Sequence, residues 1–263
     1  MNRTLFAKEL RANLFVSLII AAVLAMYIGV IVSMYDPELG ESLDAMMQSM
    51  PEMLRVRHVG AGHHPHRLHA ELPVRVLLTI FILVLILIVA NKLMVRYLDR
   101  GAMAYLLATP NSRTRIALTM VGVMVTILVA LMAVVTRSKW VSPRRCSRRA
   151  GHAGADAGEC GIVALWLAMA GLCFLSACLF SNATAALWVG GGLNILFFLM
   201  QMASQVGDKF EFLKNVNPLT LFDYYGLAAG DASAVGGAIA LAVGAVALFA
   251  VAVAAFDRRD LSI

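Results

Sequence analysis

The chain has 263 residues, 60% of them hydrophobic and 14% charged, with a net charge of +6 at pH 7 and a mean hydropathy of +0.79. Soluble domains sit nearer half apolar. Here the apolar residues gather in blocks long enough to cross about 30 Å of hydrocarbon, which excludes an ordinary soluble globule and implies a lipid membrane as partner, with no nucleic acid.

The N-terminal stretch NRTLFAKELRANLF spaces Leu5, Phe6, Leu10 and Leu14 along roughly one helical stripe. Glu9 lies within it, and Lys8 and Arg11 beside it. The pattern predicts an in-plane helix over residues 1–12 leading into a span, with a snorkelling helix end as the plainer alternative. Six apolar blocks follow, at 13–35, 76–94, 116–136, 161–180, 185–202 and 235–256. All are expected to be helices, because an open sheet cannot satisfy its backbone in lipid. The expected fold is therefore all-α: one polytopic domain with six transmembrane helices. The first block is too long for the apolar region of a cleavable signal and reads as a retained anchor. The Ala- and Gly-rich last block suits packing against helices better than facing lipid. Cys173 and Cys178 fall inside a span and read as small packing residues. Cys146 and Cys160 flank a basic loop.

Lys and Arg near span ends mark the cytoplasmic face. Arg3, Lys8 and Arg11, then Lys92, Arg96, Arg100, Arg113 and Arg115, then Arg258 and Arg259 fall on one face of a six-span arrangement. That face is assigned to the cytoplasm, with both termini on it, and the protein to the cell membrane. The first loop of the opposite face is acidic, with Asp36, Glu38, Glu41, Asp44 and Glu52.

Between spans two and three runs DRGAMAYLLATPNSRTRIA, from Asp99 to Ala117. It has the layout of a short amphipathic helix, a stop and a new helix. Met103, Leu106 and Leu107 recur at i, i+3 and i+4. Pro110 disfavours helix at the residue before it, and Asn111 or Ser112 suits a cap. The segment reads as a knob with an apolar face and a basic rim; a helix lying on lipid would carry a similar pattern.

The N-terminal helix with KEL, the DRGAMAYLLATPNSR segment, LCFLSACLFSNATAALWVGGGLNILFFLMQ and the terminal FDRRDLSI together resemble the membrane subunit of a type-2 ABC exporter, a bacterial permease that pairs with a separate cytoplasmic ATPase. The resemblance implies an elbow helix at Leu5, Phe6, Glu9 and Leu10. It also implies a coupling segment over 97–114, in which Asp99, Arg100, Gly101, Met103, Tyr105, Leu106, Leu107, Pro110 and Arg113 dock on the ATPase. A second permease, identical or different, would complete the path. ATP and Mg would sit on the partner ATPase, with no catalytic residue or cofactor in this chain. The alternatives are a membrane scaffold that docks a cytoplasmic partner without transport, and a metal-handling membrane protein.

The metal reading rests on His63, His64, His66 and His69, since imidazole suits Zn or Cu. They lie in RVRHVGAGHHPHRLHAELPVR, at 55–75. With RSKWVSPRRCSRRAGHAGADAGEC, at 137–160, this stretch holds all six histidines of the chain and much basic charge on the face expected to lack it. Pro65 interrupts any helix there, and no thiolate or carboxylate spacing completes a site. Loops that bind anionic headgroups are a second reading. Translation out of frame is the third and the favoured one, because Arg, His, Pro, Ala and Gly are what a GC-rich gene gives in the wrong frame. Both stretches depart from the exporter pattern.

No GxxxxGK[ST] occurs, so the chain has no phosphate-cradling loop of its own. The spans hold almost no ionisable residue, which disfavours a proton or sodium relay. Asn194 and Gln201, about two turns apart, are expected either to line a path or to bond between helices. Gly190, Gly191 and Gly192 allow a bend or a close helix approach.

Overall fold

The structure is a computed structural model that describes residues 2–34, 79–95, 97, 112–141, 152–180, 182–203, 217–223, 226–227 and 230–258. Nearly all of those residues are helical, and there is no strand among them. Helix α1 spans Arg3–Met34 and α2 spans Thr79–Val95. They are followed by α3 at Arg113–Val141, α4 at His152–Leu179, α5 at Ala183–Ala203 and α6 at Ala232–Arg258. Five of these, all but α2, are long and apolar enough to cross a membrane. The chain is a membrane-spanning helical protein by length and composition. The described part of α2 is a shorter apolar helix, and its last turn, Asn91–Val95, is a π-helix.

The elbow and first span expected as two elements form one helix. Asn2 caps it: its Oδ1 accepts from Thr4 N at 3.1 Å and Leu5 N at 3.4 Å, satisfying the orphan donors of the first turn. No Gly or Pro interrupts the chain from Arg3 to Tyr27. Asn13, at the expected boundary, returns its Nδ2 to Glu9 O at 2.9 Å, one turn back along the same helix. Nothing therefore ends the helix at residue 12. Ser112 caps α3, accepting from Arg115 N at 3.3 Å. Of the two expected caps, Asn111 and Ser112, it is Ser112 that fills the role.

Helix α4 is the most enclosed and lies at the centre. It packs most extensively on α6 and also on α3 and α5, while α1 packs on α3. Small residues let the helices approach, as packing in lipid favours. A Cβ on Gly171 of α4 would stand 3.0 Å from Leu248 Cβ of α6. Phe174 and Phe249 meet one turn on, with ring centroids 6.0 Å apart and tilted by 57°. A Cβ on Gly237 of α6 would strike Leu221 O, so only glycine lets the Pro218–Leu221 turn lie against that helix. Gly230, at φ 80°, takes the left-handed conformation just before Asp231, whose carbonyl accepts from Val235 N at 3.1 Å to start α6.

The contacts fix helix directions. Asn2 at the start of α1 meets Thr119 near the start of α3, and Tyr97 beyond the end of α2 meets Glu9. Thr136 near the end of α3 meets Glu159 near the start of α4, at 2.7 Å. Helices α4 and α5 form an antiparallel hairpin, and α6 runs with α4. One end of the bundle therefore gathers the start of α1, the end of α2, the start of α3, the α4–α5 turn and the end of α6. Among the described residues that end carries Arg3, Lys8, Arg11, Lys92, Arg113, Arg115 and Arg258 against Glu9 and Asp257. The other end carries Arg137 and Lys139 with Asp156, Glu159, Asp223 and Asp231.

Candidate functional site

The basic end holds the one buried carboxyl side chain among the described residues, Glu9, which is 4% exposed. A carboxyl taken out of water is costly without a partner, and an ionisable group inside a membrane bundle is by default a functional candidate. Tyr97 supplies the partner, donating its hydroxyl to Glu9 Oε1. Residues Leu5, Glu9 and Asn13 stand at i, i+4 and i+8 and are all buried, so they form one face of α1 turned toward the bundle. Asn13 is fully buried, and its Oδ1 has no hydrogen-bond partner. The π turn just before Tyr97 widens the helix and rotates the residues after it.

On its other side the start of α1 is held by α3. Asn2 donates its backbone N–H to Thr119 Oγ1 at 3.1 Å, and Thr119, itself fully buried, donates that hydroxyl to Arg115 O at 2.7 Å. The chain leaving α2 and the chain starting α3 are thus both tied to the first turns of α1. Between them runs the segment that holds most of the expected coupling residues. Asp99, Arg100, Gly101, Met103, Tyr105, Leu106, Leu107 and Pro110 lie outside the described residues. Arg113 is the first residue of α3 and half-buried. Of the expected elbow residues, Leu5 and Glu9 are buried, and Phe6 and Leu10 are half-buried against the same core.

No family model, curated protein or solved structure matches the chain.

The two path candidates take part in packing bonds. Asn194 is 1% exposed. Its Nδ2 donates to Gly190 O at 2.8 Å on its own helix and reaches Met169 O and Cys173 Sγ on α4, both at 3.3 Å. Gln201 Oε1 accepts from Asn217 Nδ2 at 3.3 Å, and Asn217 also donates to Phe197 O at 2.8 Å. Both residues thus join neighbouring elements, as interhelical polar groups commonly do in membranes. The three glycines divide the work. A Cβ on Gly190 would strike Ser176 Oγ and stand 3.0 Å from Cys173 Cα, one on Gly191 would stand 2.9 Å from Leu87, and one on Gly192 would meet nothing within 4 Å. Close approach, rather than a bend, is what Gly190 provides.

His63, His64, His66 and His69 lie outside the described residues, and among those described no three His, Cys, Asp or Glu side chains gather to hold a metal ion. Cys173 and Cys178 are buried free thiols and Cys160 is an exposed one.

Sequence reasoning missed Tyr97, Asn2 and Asn217. Tyr97 stands in the run VRYLDR, where an aromatic at a span end reads as an interfacial anchor. An Asn two residues before an apolar helix does carry a cap signal, and NP before an apolar turn does likewise at Asn217.

Proposed function

We propose that the chain is the permease half of an ABC exporter, working with a second permease and two cytoplasmic ATPase subunits. The support is the sequence resemblance, together with one structural observation. The two strands of chain that flank residues 98–111 are each bonded to the buried face or cap of α1, at the basic end of the bundle. A knob held in this way transmits a push to three helices at once and not to a loop. Excess Lys and Arg at that end argues for the cytoplasmic side, where an ATPase is available. The sixth span of this reading is α2 with the residues before it, and both termini face the cytoplasm.

In this reading, closure of the ATPase dimer on ATP and Mg pushes the coupling segment. The push moves α2 through Tyr97 and α3 through Ser112, and the path between the two permeases opens. This chain then contributes binding and motion, and the ATPase does the chemistry. Purification of the tagged chain from its host in mild detergent tests the proposal. A stoichiometric ATPase should accompany it and be lost in Leu106→Asp and Leu107→Asp, with membrane insertion unchanged. Undiminished association in both variants defeats the coupling assignment, and a monodisperse wild-type sample without any ATPase favours the scaffold reading.

A further inference from the structure

The acid of the first turns of α1 is turned inward, and this leaves the cations of the same turns uncompensated. Glu9 is buried against Tyr97, whereas Lys8 and Arg11 are exposed. Among the described residues neither is paired with a carboxylate, nor are the exposed Arg3 and Arg115 close to them at the starts of α1 and α3. At about 100° per residue Arg11 falls nearly opposite Glu9, and Lys8 falls about 100° from it, on the flank of the same outward-facing stripe. That outer face continues through Phe15, Leu18 and Met26, which are 73%, 59% and 66% exposed.

The register matches one leaflet. From Phe15 to Met26 the helix rises about 16 Å, and a single leaflet contributes about 15 Å of hydrocarbon. Lys8 and Arg11 stand one to two turns beyond the apolar stretch, at headgroup depth. A soluble acidic partner would match the cations and leave the contiguous apolar stripe unmatched. An amphiphile with a negative head matches both.

We infer that the outer face of α1 is a binding surface for an anionic phospholipid, with Lys8 and Arg11 on the headgroup and the Phe15–Leu18–Met26 stripe along the acyl chain. This surface is separate from the coupling segment and does not depend on transport. It would fix the depth and tilt of α1, the least enclosed of the five long helices, and so preserve the Glu9–Tyr97 contact on its inner face.

The test uses the full chain reconstituted in phosphatidylcholine bilayers, with trace spin-labelled phosphatidylglycerol or phosphatidylcholine. The protein-associated fraction of each is read by electron spin resonance. The wild type should prefer phosphatidylglycerol several-fold, and Lys8→Gln with Arg11→Gln should cut that preference by on the order of fivefold per cation at most. Arg258→Gln, at the same end but on α6, should retain most of it. If the double variant fails to reconstitute, the wild type at 0.5 M salt replaces it, since a Debye length of about 4 Å should erase the preference. Equal association of the two lipids with wild type overturns the inference, as does full preference in the double variant or after salt. An Arg258→Gln loss as large as that of the double variant assigns the effect to general charge and overturns it too. Loss of a co-purifying acidic protein from the double variant, with no lipid preference in wild type, would give the cations to that protein instead.

Discussion

Replacing Tyr97 by Phe removes one hydroxyl and leaves Glu9, only 4% exposed, without the donor that reaches its Oε1. A buried polar group stripped of its partner costs about 1–3 kcal/mol, and more when charged. For a chain of this size 1 kcal/mol corresponds to about 2–4 °C in Tm, so Tyr97→Phe should lower Tm by about 5 °C. The chain supplies its own reporter, because Cys173 and Cys178 are buried free thiols. A thiol-reactive dye reads their exposure on heating once Cys146 and Cys160 are replaced by Ser. Glu9→Leu alone should cost a similar amount, since it strands the Tyr97 hydroxyl. The double variant Glu9→Leu/Tyr97→Phe should cost much less than the sum, because removing both partners can be nearly neutral. The coupling between the two positions should fall in the range of about 0.5–3 kcal/mol expected of residues in contact. A Tm for Tyr97→Phe within 1 °C of wild type, or strict additivity in the double variant, would refute the argument that this bond holds α1 to α2.

Gly190→Ala should destabilise by about 1–3 kcal/mol, because its methyl meets the α4 backbone and forces the α4–α5 hairpin apart. Gly192→Ala, two residues on with nothing within 4 Å, should be neutral or slightly stabilising by helix propensity. Equal effects at the two positions, read by the same thiol melt, would mean that hairpin closeness does not matter. In whole cells, a membrane-impermeant maleimide should label the Cys146→Ser variant at the exposed Cys160, at the end of the bundle opposite the basic one, if the proposed orientation holds. Labelling only after the membrane is breached would reverse the orientation.

Five of the six expected spans were legible because length and apolarity suffice to define them, and because neighbouring elements carry plain cap signals such as Ser112. Which side of each span faces inward was not legible. In water the apolar face of a helix is the buried one, but in lipid both faces are apolar. Phe15 is 73% exposed, whereas Asn13, two residues earlier, is fully buried. A search for an apolar stripe therefore groups Leu5, Phe6, Leu10 and Leu14, while the inner face runs Leu5, Glu9, Asn13, Ile20 and Leu24. The inner face is marked by its polar members, and these look like defects to a hydropathy argument. Of the two roles expected of Asn194, lining a path or bonding between helices, its reach to Met169 O and Cys173 Sγ on α4 is the second, while which helix it would meet was not legible. The elbow and first span run on as one helix, Arg3–Met34, because Asn13, at the expected boundary, spends its amide on its own helix.

The placement of buried polarity bears on how such a bundle could work. Among the described residues the buried polar side chains are Glu9, Asn13, Thr119, Ser176, Asn194 and Asn217. Thr119, Asn13 and Asn194 each bond the carbonyl four residues back on their own helix. Ser176 sits within 2.8 Å of Cys173 O and 2.9 Å of Ala186 O. These neutral groups fasten helices and offer no chain of protonatable sites through the interior. The single ionisable member, Glu9, lies at the basic end, and Tyr97 joins it to the chain that leads toward residues 98–111. A carboxyl there is poorly placed to pass ions across the bilayer and well placed to register displacement of that segment. In the proposed ATPase-coupled reading, that is the end at which the push on residues 98–111 would arrive.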